Sequence, residues 1–417
     1  MSEHEKCRKL IVVKYGGSSL ADHDRVLSAV SAVAKEAKQG SHIAVVVSAM
    51  GRTTDNLLRT AEKTSNGKLN RVELDDILSM GERTSVRLFS AGLKSVSIES
   101  RYFDPLDEDW PIITDGSFND ANPILAECEE RIRKSVQPLV ERGVVPVIAG
   151  FLGRTKDGRV TTLGRGGSDT TAFILARAMR ADEVVLVTDA DGIMSADPNV
   201  IDNPTQLPEI DVSSLVCLSD SGSKFIHTKA LRYKDPLIDA RVISHRSGSL
   251  NEKGTLIKGG LSSELDVDLA SAFPAASIII AGLCIVENPA VLQQLTHIVR
   301  VHSSQLGLSC NHNSIILYVS EQGSLASLLN EIHENVIRQR QAVAMSVRRS
   351  LATLRISGVG LEETPGLVGR VSEALRVFGM NIFGMLTIAS SIILFVDWDK
   401  RERALDLIKR SLESDTK

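Results

Sequence analysis

Two rhythms of apolar residues alternate over the first 260 residues. Leu10-Ile-Val-Val13, Ile43–Val47, Val144–Ala149, Glu183–Val187 and Val242–Ile243 are short, nearly unbroken apolar runs. Between them apolar positions recur at helical spacing, as with Val26, Ala29, Val30 and Val33 on one face of 22–38. Unbroken runs predict strands buried on both sides. Their alternation with helices predicts an α/β fold, a mainly parallel sheet sandwiched by helices.

The rhythm changes after Lys258-Gly-Gly-Leu-Ser-Ser263, a small-residue stretch that predicts a boundary. A strand at Ile278–Leu283, a helix over 289–302, a strand at Ser314–Val319 and a helix around 325–336 form one β-α-β-β-α-like set. Ser350–Ser357, a turn at Glu362–Gly366, a helix over 367–378, Asn381–Met385, Ser391–Trp398 and a helix over 401–411 form a second, about 75 residues on. The expected domains are therefore 1–260, 264–345 and 346–417, with the last two free to intertwine in space. On pattern alone the pair also reads as ferredoxin-like units that serve only dimerisation.

Composition narrows the function classes. Hydrophobic residues make up 43% and charged residues 24%, ordinary values for a globular protein. A net charge of −4 gives no reason to expect nucleic acid or an anionic membrane as partner. No stretch approaches a membrane span. Met1–Lys9 is polar and offers no signal-peptide core, so the expectation is a cytoplasmic protein. The five cysteines, Cys7, Cys128, Cys217, Cys284 and Cys310, are scattered and form neither a disulfide framework nor a zinc pattern.

Two glycine loops carry the chemistry. Thr161-Thr-Leu-Gly-Arg-Gly-Gly-Ser-Asp-Thr170 places three glycines around Arg165, then Ser168 and Asp169, then an apolar helical run. Such a loop lets the backbone approach a ligand, and the following helix start presents unpaired N–H groups to an anion. The plainer reading is a turn before a core helix, which needs neither Arg165 nor Asp169. Lys14-Tyr-Gly-Gly-Ser-Ser19 directly follows the first strand. A lysine and backbone N–H groups suit phosphate, although Lys14 alone also reads as a surface lysine at a strand end. Neither loop has P-loop or dinucleotide-fingerprint spacing.

Together the loops resemble the aspartate kinases of the amino-acid kinase family, and the resemblance runs along nearly the whole chain. Lys14–Ser19 is similar to the family's K-[FY]-G-G-[TS]-S signature, and Val45-Val-Val-Ser-Ala-Met-Gly-Arg-Thr-Thr-Asp-Asn-Leu57 to its second strand-loop. Met80-Gly-Glu-Arg-Thr-Ser85 is similar to a G-E-R-x-S helix start, and 150–169 to the longest motif. Val187–Pro198 is similar to the nucleotide loop, and Gly222-Ser-Lys-Phe-Ile-His227 to the last kinase motif. The C-terminal pair resembles tandem ACT units, and Thr364-Pro-Gly-Leu-Val-Gly-Arg370 the ACT turn-to-helix.

The resemblance implies ATP-dependent phosphorylation of the L-aspartate side chain to 4-phospho-L-aspartate, entering the lysine, threonine and methionine pathways. It assigns Lys14 to the transferred phosphoryl group, Gly16 and Gly17 to the phosphates, and Asp169 to orienting Lys14. Arg165 would bind a carboxylate of aspartate and Glu82 its ammonium, with hydroxyls from Thr54 and Ser168. Glu82 otherwise reads as a helix N-terminal acid favoured by the dipole. Thr188, Asp189, Asp197 and Lys224 fall to ATP. Mg²⁺ would ride mainly on the phosphates, with no protein ligand assigned. A homodimer or higher homo-oligomer through the ACT units and an amino-acid effector there are also implied.

The chain departs from the commoner pattern at Met194 and Asn199, where many members have tyrosine and arginine. In Thr387-Ile-Ala-Ser-Ser-Ile-Ile-Leu394 two serines remain but the usual acid and amide are gone, which predicts weak or altered feedback. A kinase for another amino acid such as glutamate, and a regulatory subunit with an inactive kinase fold, are the competing readings. The Gly-Glu-Arg motif and paired ACT units oppose the first, and intact Lys14, Glu82, Arg165 and Asp169 the second.

Overall fold

The computed structural model describes residues 8–197, 200–219, 226–260, 265–358, 361, 366–388 and 391–413. The chain divides into two compact units, Met1–Ser263 and Glu264–Lys417.

The strands of the first unit are β1 (Leu10–Tyr15), β2 (His42–Val47), β3 (Ser100–Phe103), β4 (Val145–Ala149), β5 (Leu152–Arg154), β6 (Val160–Thr162), β7 (Glu183–Thr188), β8 (Glu209–Asp211), β9 (Asp239–Ser244) and β10 (Thr255–Lys258). One sheet runs β3-β4-β2-β1-β7-β9-β10-β8, and β5 and β6 form a separate hairpin. Among the described residues pairing in this sheet is parallel from β3 through β9 and between β10 and β8, and antiparallel between β9 and β10. The chain builds one wing from β1 through β2 and the other through β7. The carboxyl end of β1 is thus a topological switch point, the usual place for a ligand crevice.

Side-chain alternation along β1 assigns the two faces. Tyr15 reaches the helix His23–Lys38, donating its hydroxyl to Ala29 O at 3.2 Å, and its ring lies 5.5 Å from that of Phe89 in the helix Arg71–Ser95. Its neighbour Lys14 points to the other face and pairs with Asp169 in the helix Gly167–Met179. Helices therefore cover both faces, and the strands read as continuous apolar runs because both sides are buried.

The helix Arg71–Ser95 corrects one expectation. Gly81-Glu-Arg83 lies in its middle, not at its start. The start is set ten residues earlier by a capping box, in which Asn70 Oδ1 accepts from Glu73 N–H and Glu73 returns the bond to Asn70 N–H. Gly81 is needed for close passage: a Cβ there would stand 2.8 Å from Ala49 Cβ on the loop after β2. The Glu82 carboxylate thus owes its place to packing, not to the helix dipole.

The second unit contains β11 (Asp266–Leu269), β12 (Ala275–Ala281), β13 (Gln305–Asn311), β14 (Ser314–Ser320), β15 (Ala344–Ser357), β16 (Gly384–Ile388) and β17 (Ser391–Asp397). One antiparallel sheet runs β13-β14-β12-β15-β17-β16, with β11 also on β15. Two ferredoxin-like halves share β15: its first part pairs with β12 and its last part with β17 and β11. Each half has its own core, and Tyr318 stacks on Phe395 at 3.7 Å in a small cluster beside them. Val267 packs into the second half's core, so packing does not follow sequence order. β11 and β13 are strands that the apolar pattern did not predict. No helix among the described residues is long and apolar enough to cross a membrane.

Candidate functional site

A cleft of about 290 Å³ opens at the carboxyl end of β1, lined by Lys14, Gly16, Gly17, Ser48, Thr54, Glu82 and the 164–169 loop with Phe151. Parallel register brings these pieces together: Lys14 stands opposite Val46 of β2 and Leu186 of β7. Beyond the strands the loops are tied. Gly16 N–H donates to Val187 O (3.1 Å), Gly51 N–H to Gly17 O (2.9 Å), and the Ser48 hydroxyl to Ser168 Oγ (2.9 Å).

Lys14 Nζ lies 2.7 Å from Asp169 Oδ1, with both side chains mostly buried. Asp169 is in the first turn of the helix Gly167–Met179, whose N-cap Gly166 is left-handed at φ 74°. A Cβ at Gly166 would fall 2.6 Å from His227 Cβ, so glycine is required there by both conformation and space. The helix start directs its free N–H groups and positive dipole end toward the Lys14 side of the cleft.

Glu82 is 3% exposed. Ala49 N–H donates to its Oε1 at 3.0 Å, while Oε2 is buried with no hydrogen-bond partner among the described residues. Burial pushes its pKa up to about 7 against that backbone bond. Buried carboxylate oxygens are seldom left unpaired, and a cationic group in the cleft would satisfy this one. Arg165 is exposed and forms no hydrogen bond or ion pair with any described residue. The cleft therefore holds a guarded ammonium, a free guanidinium and an unpaired carboxylate. That set complements a molecule bearing both a phosphate and a zwitterionic amino acid.

The residues that the resemblance assigns to ATP are not among those lining this cleft, apart from Lys14, Gly16 and Gly17. Thr188 ends β7, one residue past the carbonyl that holds Gly16, and its hydroxyl donates to Asp189 Oδ1 at 3.1 Å. His245 Nδ1 is 3.1 Å from Thr188 O. Asp197 is on an exposed stretch of the 189–206 loop, and Met194 bridges to Gln206 there. Lys224 and Asn199 lie outside the described residues.

Two supports were not read from the sequence. Lys229, 7% exposed, donates to Leu163 O (2.8 Å) and Ala121 O (3.2 Å) and pairs with Asp120 Oδ1 (2.5 Å), bracing the strand-end that carries Arg165. Asp75, fully buried, accepts from Thr162 N–H (3.0 Å) and hydroxyl (2.6 Å) and from Asn119 N–H (2.9 Å). Asp75 and Glu82 stand seven residues apart on the buried face of one helix. Acids at core-facing spacing were the available signal. Ser48 and Phe151 also line the cleft without having been singled out.

Comparison with known proteins gives the family. Residues 9–244 match the amino acid kinase family. The chain is 31% identical over 420 residues to an aspartokinase of Thermus thermophilus, covering 97% of this chain and 99% of that one. It is 38% identical to the aspartokinase of Rickettsia felis over 60% of each chain. Among solved structures, aspartate kinase from Synechocystis superposes with a TM-score of 0.81 at 24% identity, over 97% of this chain and 69% of that one. E. coli aspartokinase III in complex with aspartate and ADP gives 0.56 at 22% identity, over 97% and 100%. These two structures speak for the fold. The sequence match along the full length carries the assignment: this chain belongs to the amino acid kinase family and, within it, to the aspartokinases.

Proposed function

We propose that this aspartokinase transfers the γ-phosphoryl group of ATP to the side-chain carboxylate of L-aspartate in the cleft at the end of β1. The carrying observation is the buried, unpartnered Glu82 Oε2 in the same cleft as Arg165 and the Lys14–Asp169 pair. Glu82 takes the substrate ammonium and Arg165 a carboxylate, with Thr54 and Ser168 adding hydroxyl contacts. The acceptor carboxylate is already ionised at neutral pH, so no general base is required. The remaining obstacle is repulsion between two anions, which fixed positive charge offsets.

Lys14 supplies that charge at the transferred group, and Asp169 holds the ammonium in place. Gly16 and Gly17 line the phosphates by close backbone approach, beside the positive end of the helix Gly167–Met179. Thr188, Asp189, Asp197 and Lys224 serve the nucleoside side. Of the cleft's two carboxylates, Asp169 is paired with Lys14, and Glu82, with one oxygen on Ala49 N–H, is given to the substrate ammonium in this reading. That donor set fits a Mg²⁺ ion held chiefly by phosphate oxygens and water. Such an ion would supply positive charge against the developing negative charge of the transfer.

The C-terminal halves serve as the effector and self-association surface in this reading. The kinase reading is tested by ADP release dependent on L-aspartate, with the acyl phosphate trapped by hydroxylamine. ADP release equal with L-aspartate, L-glutamate or no acceptor would refute it.

A further inference from the structure

We propose that the first half of the C-terminal unit carries a binding site for one zinc-class divalent cation, formed by Cys284, Glu287 and His312. Cys284 follows β12 in the loop leading to the helix Pro289–His302, and Glu287 ends the short turn Ile285–Glu287 in that loop. His312 sits at the tip of the hairpin joining β13 to β14. One ligand atom from each residue lies within 4.8 Å of the others.

The Cys284–His312 contact has the length of a sulfur hydrogen bond and is also close to the ligand spacing of a metal site. Cys284 Sγ is 3.2 Å from His312 Nε2, and His312 Nδ1 is 3.8 Å from Glu287 Oε1. With Zn–S near 2.3 Å and Zn–N near 2.0–2.1 Å, a tetrahedral ion holds its sulfur and nitrogen ligands roughly 3.5 Å apart. An ion therefore seats between Cys284 and His312 with side-chain shifts of a few tenths of an ångström. Glu287 stands nearest the other ring nitrogen, Nδ1, and reaches an ion on the Nε2 side by rotation of its exposed side chain, within the 4.8 Å spread of the three ligand atoms. The Glu287–His312 separation is too long for a hydrogen bond, and exposed pairs of this kind contribute little on their own.

The backbone fixes the two segments before any ion arrives. Cys284 N–H donates to Asn313 Oδ1 at 3.1 Å, and Gly282 N–H to Asn313 O at 3.0 Å. Cys284 itself is left-handed at φ 50°, which turns its side chain out of the strand direction. Glu287 and His312 side chains are about two-thirds exposed (68% and 64%), so an ion has open access and the fourth position is left to water. Thiolate, imidazole and carboxylate together select a borderline-soft ion over Mg²⁺ or Ca²⁺. None of the three residues takes part in the kinase cleft. The ion would tie the 282–288 loop to the hairpin tip and stiffen the entrance to the helix Pro289–His302.

The test uses the full chain without a histidine tag, titrated with Co²⁺ and with Zn²⁺ against a chromophoric chelator. The wild type is expected to bind one ion per chain, with a thiolate-to-Co²⁺ charge-transfer band. Cys284→Ser should abolish the band and His312→Ala should remove most of the affinity. Glu287→Gln should weaken binding at least roughly tenfold. Hydrogen exchange at 282–288 should slow on adding Zn²⁺ to the wild type only. Basal kinase activity and thermal midpoint without metal should match wild type in all three variants, separating loss of binding from loss of fold. No charge-transfer band in the wild type, or an affinity unchanged by any one of the substitutions, would overturn the site.

Discussion

Glu82→Gln separates the stability of the free enzyme from its hold on aspartate. The carboxylate is 3% exposed, has one hydrogen bond, from Ala49 N–H, and leaves Oε2 unpartnered among the described residues. Burial raises its pKa from the usual 4.5 to about 7. At about 1.4 kcal/mol per tenfold in the ionisation constant, holding this charge without substrate costs the fold about 3 kcal/mol above pH 7. The group's folded pKa lies above its unfolded one. Its contribution is therefore fully present below about pH 4.5 and is lost as pH rises through about 7. Glutamine keeps the acceptor for Ala49 N–H but buries an amide without a partner, which takes back about 1–3 kcal/mol. A net gain of about 1 kcal/mol at high pH should raise the melting midpoint by about 2–4 °C for a unit of this size. Scanning calorimetry on the aspartate-free protein should show the variant melting above wild type near pH 8.5, and level with it or below near pH 5.5. The same variant should raise the aspartate KM by at least roughly thirtyfold, because the bound ammonium loses its charged partner. A midpoint difference equal at both pH values, or an unchanged aspartate KM, would refute the reasoning.

Lys14→Ala should lower kcat by roughly 10²–10³ with a normal circular dichroism spectrum, since one fixed charge at the transferred group is lost; near-normal kcat would remove Lys14 from that role. Arg165→Ala should act on aspartate KM and leave ATP KM within about twofold, the opposite pattern meaning that the two substrate sides are reversed. Gly166→Ala should lose about 1–2 kcal/mol of stability from its left-handed backbone alone, and activity with it, because the new methyl also meets His227; a fully active, equally stable variant would refute the packing argument. Lysine alone should inhibit the initial rate by no more than about fivefold, the low end of ordinary allosteric coupling, since Ser391-Ile-Ile393 lacks the acid and amide that would hold an amino acid. Strong inhibition by millimolar lysine would show that other residues supply those partners.

The site was legible where its chemistry is local and obscure where packing decides. Lys14-Tyr-Gly-Gly17 and the 164–169 loop declare themselves because a phosphate needs close backbone approach, and only glycine gives it. Gly81 was placed at a helix start by the G-E-R-x-S resemblance, yet it serves close packing against Ala49 in mid-helix, and the true start at Asn70-Arg-Val-Glu73 has capping-box spacing. β13 escaped because Gln305-Leu-Gly-Leu-Ser-Cys-Asn311 is an edge strand with no buried face strong enough to alternate. β11 escaped because four residues alternate too briefly, although Val267 is buried between exposed Asp266 and half-buried Asp268. Lys229 and Asp75 are the deeper case. Each is a charged side chain whose burial makes sense only beside Leu163 O or Thr162, residues 66 and 87 positions away. Periodicity can mark Asp75 as core-facing but cannot name its partner; the pairings arise where helices meet the β5–β6 hairpin and the loop after it, contacts that only the folded topology creates. The residues proposed to meet substrate can be read from their own chemistry, while those that hold them still become readable only with the topology.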